Sequence, residues 1–308
     1  VAPLRPGAIL ASALVLLYAA ELRADEPAAA PPDPAPAAGS PQTGATTVKP
    51  APPEPKSYPA RLGGELVSDF KWSVNNLVQD GIDVVKSPTK IPDLVTDPWF
   101  YYTTAGSAAF WFSAYSLDEG ARTNFRKISH KDAGHLESWG NVALWGATGV
   151  LYGYGLFLED TRARQFALTG LLSTAVSGGI TSALKEIFQR DRPLQNKGHH
   201  AWFDNGSSFV SGATTPAFAL AADIAEYSDN KWYVAIPAYI AAGSVGLGRM
   251  GKDAHWLSDI AGSALLGVGT TELLLHMHAM HDVDPNRFRV FPMFVGHTMG
   301  VGVQVAFW

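Results

Sequence analysis

The stretch RMGKDAHWLSD, Arg249–Asp259, runs directly into an apolar segment reaching His278, and its reading decides the fold. The segment is too long and too rich in Ala, Leu and Gly for a strand, so it reads as a helix opening near His255. His255 and Asp259 stand four residues apart and share one face of that helix. A carboxylate there can accept the proton on one imidazole nitrogen, which fixes the tautomer and leaves the other nitrogen free to react. Taken alone, the pair is an ordinary helix-surface contact. Its surroundings give it another meaning, because Arg249 lies just upstream, where the chain turns into the helix.

Two further blocks lie N-terminal to it. KEIFQRDRP, Lys185–Pro193, ends an apolar run and contributes Lys185 and Arg192, and SSFVSGAT, Ser207–Thr214, opens the next helix with Ser211 and Gly212. Cations beside apolar helices are costly unless an anion or a carboxylate meets them. A helix N-terminus offers free amides and a favourable dipole to phosphate, and Arg adds bidentate contacts. Three cations, a paired His and a Ser-Gly helix start therefore describe a phosphate cradle.

Outward from these blocks the pattern repeats. Apolar segments near Trp99–Leu117, Trp139–Leu158, Phe166–Phe188, Ser211–Glu226, Trp232–Gly248 and His255–His278 read as helices. Loops at Asp118–Lys131, Glu159–Arg164, Asp191–Asn205, Tyr227–Lys231 and Arg249–Ala254 separate them, and Gly64–Val85 is an amphipathic outer helix. In the tail, Val301, Val303, Val305 and Phe307 alternate with small or polar residues, and Arg287–Phe294 alternates less cleanly, which predicts a short β hairpin over 287–308. The fold class expected is all-α, a bundle of about six core helices with that hairpin. Residues 60–308 form the helical domain, with the motifs inside 166–278. Residues 1–24 have the charged, apolar, small-residue order of a signal peptide or anchor. Residues 25–59, rich in Ala and Pro, form a disordered linker.

Composition narrows the function. Hydrophobic residues make up 47% and charged ones 17%, enough for a sizeable core, and a net charge of -5 offers nothing to a nucleic acid. There are no cysteines, so thiol nucleophiles, disulfides and thiolate metal sites are excluded. Several helices approach the length of a membrane span, but Asp223, Glu226, Asp259 and Glu272 interrupt them. The loops also lack an orienting Lys/Arg asymmetry. The expectation is an exported, periplasmic or envelope-associated domain, with membrane association and an integral membrane protein as the alternative.

The three blocks together resemble the signature of the type 2 phosphatidic acid phosphatase superfamily, which includes bacterial acid phosphatases, lipid phosphatases and vanadium haloperoxidases. Its pattern is Lys-x6-Arg-Pro, then Pro-Ser-Gly-His, then Ser-Arg-x5-His-x3-Asp, and the blocks occur here in that order. The resemblance implies that His255 is a nucleophile forming a phosphohistidine and that Asp259 orients it. It implies phosphate binding by Lys185, Arg192, Arg249, Ser211 and Gly212. It also implies no cofactor or metal (vanadate acting only as a phosphate mimic), and a small phosphate ester or phosphorylated lipid as substrate.

Three departures stand out: Val210 replaces Pro, Gly248 replaces Ser, and Ala213 stands where the family has a second His. That His protonates the leaving alkoxide, and general-acid catalysis is worth roughly 10²–10⁴-fold. The resemblance therefore leaves three functions open: a phosphatase impaired toward poor leaving groups, a phosphate-binding pseudophosphatase, or a vanadate-dependent haloperoxidase. His199 and His200, in the loop after Pro193, are the nearby candidates to replace the missing acid, although solvated loop histidines are the plainer reading. The Gly246–Gly251 match to a dinucleotide fingerprint follows a helix rather than a strand and carries nothing. His276, His278 and His281 cluster late in the chain, but alternation on a helix points neighbours such as His276 and His278 apart, and they do not read as a metal site.

Overall fold

The computed structural model describes residues 58–86, 96, 98–283, 288–295 and 298–305. The signal or anchor expected over 1–24 and nearly all of the linker lie outside the described residues. Tyr58 and Pro59, assigned to the linker, instead open the first helix.

The body of the chain is helical. Its elements are α1 (Tyr58–Lys86), α2 (Pro98–Ser116), α3 (Asp118–Phe125), α4 (His130–Leu158), α5 (Thr161–Phe188), α6 (Thr214–Tyr227), α7 (Trp232–Gly251) and α8 (Leu257–Val283). Strands β1 (Phe288–Val295) and β2 (Thr298–Val305) follow and pair antiparallel, with Phe288 opposite Val305.

Local chemistry sets the helix ends. Ser129 caps α4, its hydroxyl accepting from the Asp132 amide at 3.1 Å, and Asp160 caps α5 through the Ala163 amide at 3.1 Å. Glu159 and Gln189 take left-handed backbone conformations that end α4 and α5. The polar stretch Asp118–Phe125, expected to be loop, is helical, with Asp118 and Glu119 in its first turn and Arg122 in its last. That charge order suits the helix dipole.

At the centre is α6, with Ala217, Ala219, Leu220, Ala221, Ala222 and Ala225 all buried. Helices α4, α5, α7 and α8 pack around it. A short helix with apolar residues on most of its faces is enclosed in this way. The packing is close because the contact residues are small. A Cβ at Gly267 of α8 would stand 2.4 Å from the Thr215 carbonyl oxygen of α6, and one at Gly140 of α4 would stand 2.3 Å from the Ala241 carbonyl oxygen of α7. By contrast α1 docks through its polar side. Asp69 receives Arg164 at 3.1 Å and the Tyr152 hydroxyl at 2.9 Å, while Asp80 lies 3.1 Å from His278.

The bundle gathers the C-terminal ends of α2, α5 and α7 and the N-terminal ends of α3, α4, α6 and α8 at one end. The three sequence blocks lie there.

Candidate active site

His255 lies in the bend before α8 and is buried, with 3% of its surface exposed. Its Nδ1 donates to the Ser208 carbonyl at 2.8 Å, and Asp259 Oδ2 lies 3.5 Å from the same nitrogen. The expected His–Asp pair is therefore present, but a backbone carbonyl is the shorter partner that fixes the tautomer. This leaves Nε2 as the free nitrogen. Burial, reinforced by the charges of Lys185 and Arg249, pushes the imidazole below the usual histidine range, against the pull of Asp259.

Asp259 is buried and fully engaged. It accepts from Arg190 Nη1 at 2.5 Å, from the Ser208 hydroxyl at 2.5 Å and from the Trp256 amide at 2.9 Å. Burial alone would raise its carboxyl; His255, Arg190 and Ser208 outweigh burial and hold it below the usual carboxylate range.

Sequence reasoning missed Arg190. It has no exposed surface, donates to Ser258 Oγ at 2.7 Å and to Asp118 Oδ2 at 2.7 Å, and lies over the Trp202 ring at 4.4 Å. Asp118 in turn accepts from the Ser258 amide at 2.8 Å. The available signal was a second Arg two residues before Arg192, in a segment that could not leave it uncompensated.

Lys185, at the end of α5, donates to the Ser207 carbonyl at 2.5 Å. Burial, together with the charges of Arg192 and Arg249, lowers its ammonium to about 8. Arg192 donates to Ser207 Oγ at 3.2 Å, and Arg249 approaches Glu137 Oε1 at 3.4 Å. Both guanidinium groups keep a buried Nε without a partner. Orphaned buried donors are costly, and in two arginines that both act on Lys185 they suit an anionic ligand.

Ser211 and Gly212 differ in place. Ser211 has no exposed surface: its amide donates to Ser263 Oγ at 2.8 Å, and its hydroxyl accepts from Thr214 Oγ1 at 3.0 Å. Helix α6 begins at Thr214 rather than at Ser211 as expected, and Ser211 bonds to that first residue. Gly212 faces the cations; a Cβ there would lie 3.9 Å from Lys185 Cε. Ala213 packs against the core cluster that contains Leu144 and Val245, so no acid or base occupies that position. His199 is tied by Nδ1 to Glu119 Oε1 at 3.2 Å, and His200 by Nδ1 to the Tyr115 hydroxyl at 2.7 Å, which holds both rings toward α2 and α3. At the far end of the bundle His278 lies between Thr169 and Asp80. His281 has no described side chain, and no group of three or more His, Asp or Glu able to hold a metal ion occurs among the described residues.

A helical bundle that brings a tautomer-fixed His and three cations together at one end defines a class of phosphate-ester enzymes and binders. Residues 166–282 match the family described as the PAP2 superfamily. Among characterised proteins, the chain is 33% identical over 122 residues to the lipid A 1-phosphatase of Porphyromonas gingivalis. That match covers 39% of this chain and 26% of the relative, so the chain spans about a quarter of that protein's length. No solved structure matches the chain at comparable stringency.

Proposed function

We propose that the chain hydrolyses phosphate esters, phosphorylated lipids among them, through a phosphohistidine at His255. The observation carrying this reading is a buried imidazole with Nδ1 fixed to Ser208 beside two arginines whose Nε donors have no partner. In the first step Nε2 attacks phosphorus and the bond to the leaving oxygen breaks. In the second, water attacks the phosphohistidine, the N–P bond breaks, and inorganic phosphate leaves. Lys185, Arg192 and Arg249 hold the equatorial oxygens, and the Gly212 amide, beside Lys185, adds a backbone donor. Asp259 and Ser208 keep the ring in one tautomer through both steps.

A lipid substrate is supported by the PAP2 segment and by the form of the surface. Thr161–Gln195 and Leu257–Ala279 are helical stretches long and apolar enough to cross a membrane, which agrees with membrane association. An apolar pocket of about 300 Å³ is lined by Phe110, Leu117, Phe218, Leu257 and Ile260, the last two in the first turns of α8, which follow His255 in sequence. The walls suit hydrocarbon.

Ala213 supports a second reading, in which the site binds a phosphorylated ligand without turnover. Hydrolysis of p-nitrophenyl phosphate in EDTA by the full chain, beside His255→Ala, separates the two. The phosphatase reading expects turnover in the parent chain and at least a hundredfold loss (about 10²-fold) in the variant. Tight phosphate binding with no turnover in either protein would establish the binding module.

A further inference from the structure

Gly248 stands where the family pattern has Ser, and its surroundings give that change a meaning. It lies where α7 passes the first turns of α4, and a Cβ there would stand 2.6 Å from the Ala133 carbonyl oxygen and 2.9 Å from Glu137 Cβ. Gly251 is as tight, at 2.9 Å from Ala133 Cβ, and Ser244 Oγ donates to the Leu136 carbonyl at 3.1 Å. A side chain at 248 would press on the backbone of α4 and force the two helices apart, so glycine is what seats them this closely. The seat brings the Glu137 carboxylate between two cations of the α7 end. Its Oε1 lies 3.4 Å from Arg249 Nη1, and its Oε2 accepts from Lys252 Nζ at 2.6 Å. The Glu137 and Arg249 side chains are only 16% and 23% exposed, so solvent and salt screen this pair less than a surface bridge.

We propose that Glu137 is the positioning residue for Arg249, anchoring one side of its guanidinium so that the other side faces the phosphate, and that Gly248 is the residue that admits it. The proposal rests on the phosphate site of the reading above and deepens it. Each of the three cations then has its own anchor: Ser207 holds Lys185 through its carbonyl and Arg192 through its hydroxyl, and Glu137 holds Arg249. A guanidinium has two edges. Glu137 takes Nη1, while Nε, which shares the opposite edge with Nη2, is buried and without a partner. That opposite edge is the one able to meet two phosphate oxygens side by side. Without an anchor the long side chain would sample several rotamers, and phosphate binding would have to order it. Lys252 fixes the second carboxylate oxygen, so Glu137 is itself held on the α4 side of Arg249. Glu137 acts on the ligand through Arg249 alone.

The test is a double-mutant cycle in the full chain: Glu137→Gln, Arg249→Gln and the two together, with inorganic phosphate binding and p-nitrophenyl phosphate hydrolysis measured for each and thermal melting to show that each is folded. Glu137→Gln should weaken phosphate binding by about tenfold, the scale of one charge-assisted hydrogen bond, and raise KM more than it lowers kcat. In the Arg249→Gln background the same substitution should change phosphate binding by less than about twofold, because the group it positions is gone. Gly248→Ser, which restores the family residue, should weaken phosphate binding as Glu137→Gln does and add little to it. An unchanged phosphate affinity in Glu137→Gln would overturn the proposal. So would an equal loss with and without Arg249, which would give Glu137 a general part in the fold and none in aiming the guanidinium. A parent chain that binds phosphate but cleaves no ester removes the phosphatase reading and leaves the binding cycle to decide the role of Glu137; a parent that binds no phosphate overturns both.

Discussion

Lys185 holds its charge in an unfavourable place: it is half-buried, and burial together with the charges of Arg192 and Arg249 lowers its ammonium to about 8. The consequence for pH follows directly. Below 8 all three cations face the phosphate; as pH rises through 8, Lys185 loses its proton and one of them disappears. KM for a phosphate ester should therefore rise on the alkaline side from about pH 8, while Lys185→Arg, whose guanidinium stays charged beyond pH ~12, should push that limb upward. An alkaline limb unmoved in Lys185→Arg would take Lys185 out of the phosphate contacts. His255 acts in the opposite direction. Burial depresses its pKa, so Nε2 stays unprotonated and nucleophilic below the ordinary histidine range near ~6.5. Most residues of the site could be read from the sequence because fixed spacings on helix ends carry them: His255 and Asp259 on one face, Lys185 and Arg192 around one bend. Arg190, Asp118 and Ser208 could not, since their roles lie in contacts between segments up to 140 residues apart. Ser211, expected in the cradle, is buried and bonded to Thr214 and Ser263, contacts that its sequence did not announce.

Three elements converge on a single buried cation. Arg190, just beyond the end of α5, bridges Asp118 at the start of α3 and Asp259 in the first turn of α8, and none of the three side chains is exposed. Removing one partner from such a group leaves charge in the interior without compensation, at a cost of roughly 3–5 kcal/mol. Arg190→Met should lower the unfolding free energy by about that amount in denaturant titrations, with a loss of turnover as Asp259 is released. A change within ~0.5 kcal/mol would show that the network contributes nothing beyond an ordinary surface site. The helices themselves were legible from runs of Trp, Ala, Leu and Gly, but their ends were not. Helix α4 starts at His130 because Ser129 caps a polar first turn, and α3 is polar enough to pass for a loop. Capping and long-range pairing outweigh the hydrophobic pattern at both places.

Among the described residues, small side chains fill much of the interior beside Trp256, Leu144, Leu220 and Met277, while many large apolar side chains lie outside. Alanines, serines and threonines fill the contacts around α6, whereas Trp139, Val142, Val150 and Phe157 of α4 and Trp232, Tyr233, Ile236 and Ile240 of α7 point outward. On α1 the inversion is marked: Asp69, Asn76 and Asp80 are buried while Leu66, Val67, Phe70 and Leu77 are exposed. An apolar exterior of this extent marks an interaction surface, and with two helices long enough to cross a bilayer it agrees with membrane association. Composition did not predict this arrangement, because 47% hydrophobic residues suit a buried core as readily as an outward surface. The function proposed for the whole chain rests on one covalent intermediate. The measurement that tests it most directly is rapid quenching in base after mixing the full chain with a ³²P-labelled phosphate ester, followed by peptide mapping. Label that survives base, is lost in acid and maps to the peptide containing His255 is the result predicted. Steady turnover of the ester with no phosphoryl group on His255 would contradict the account.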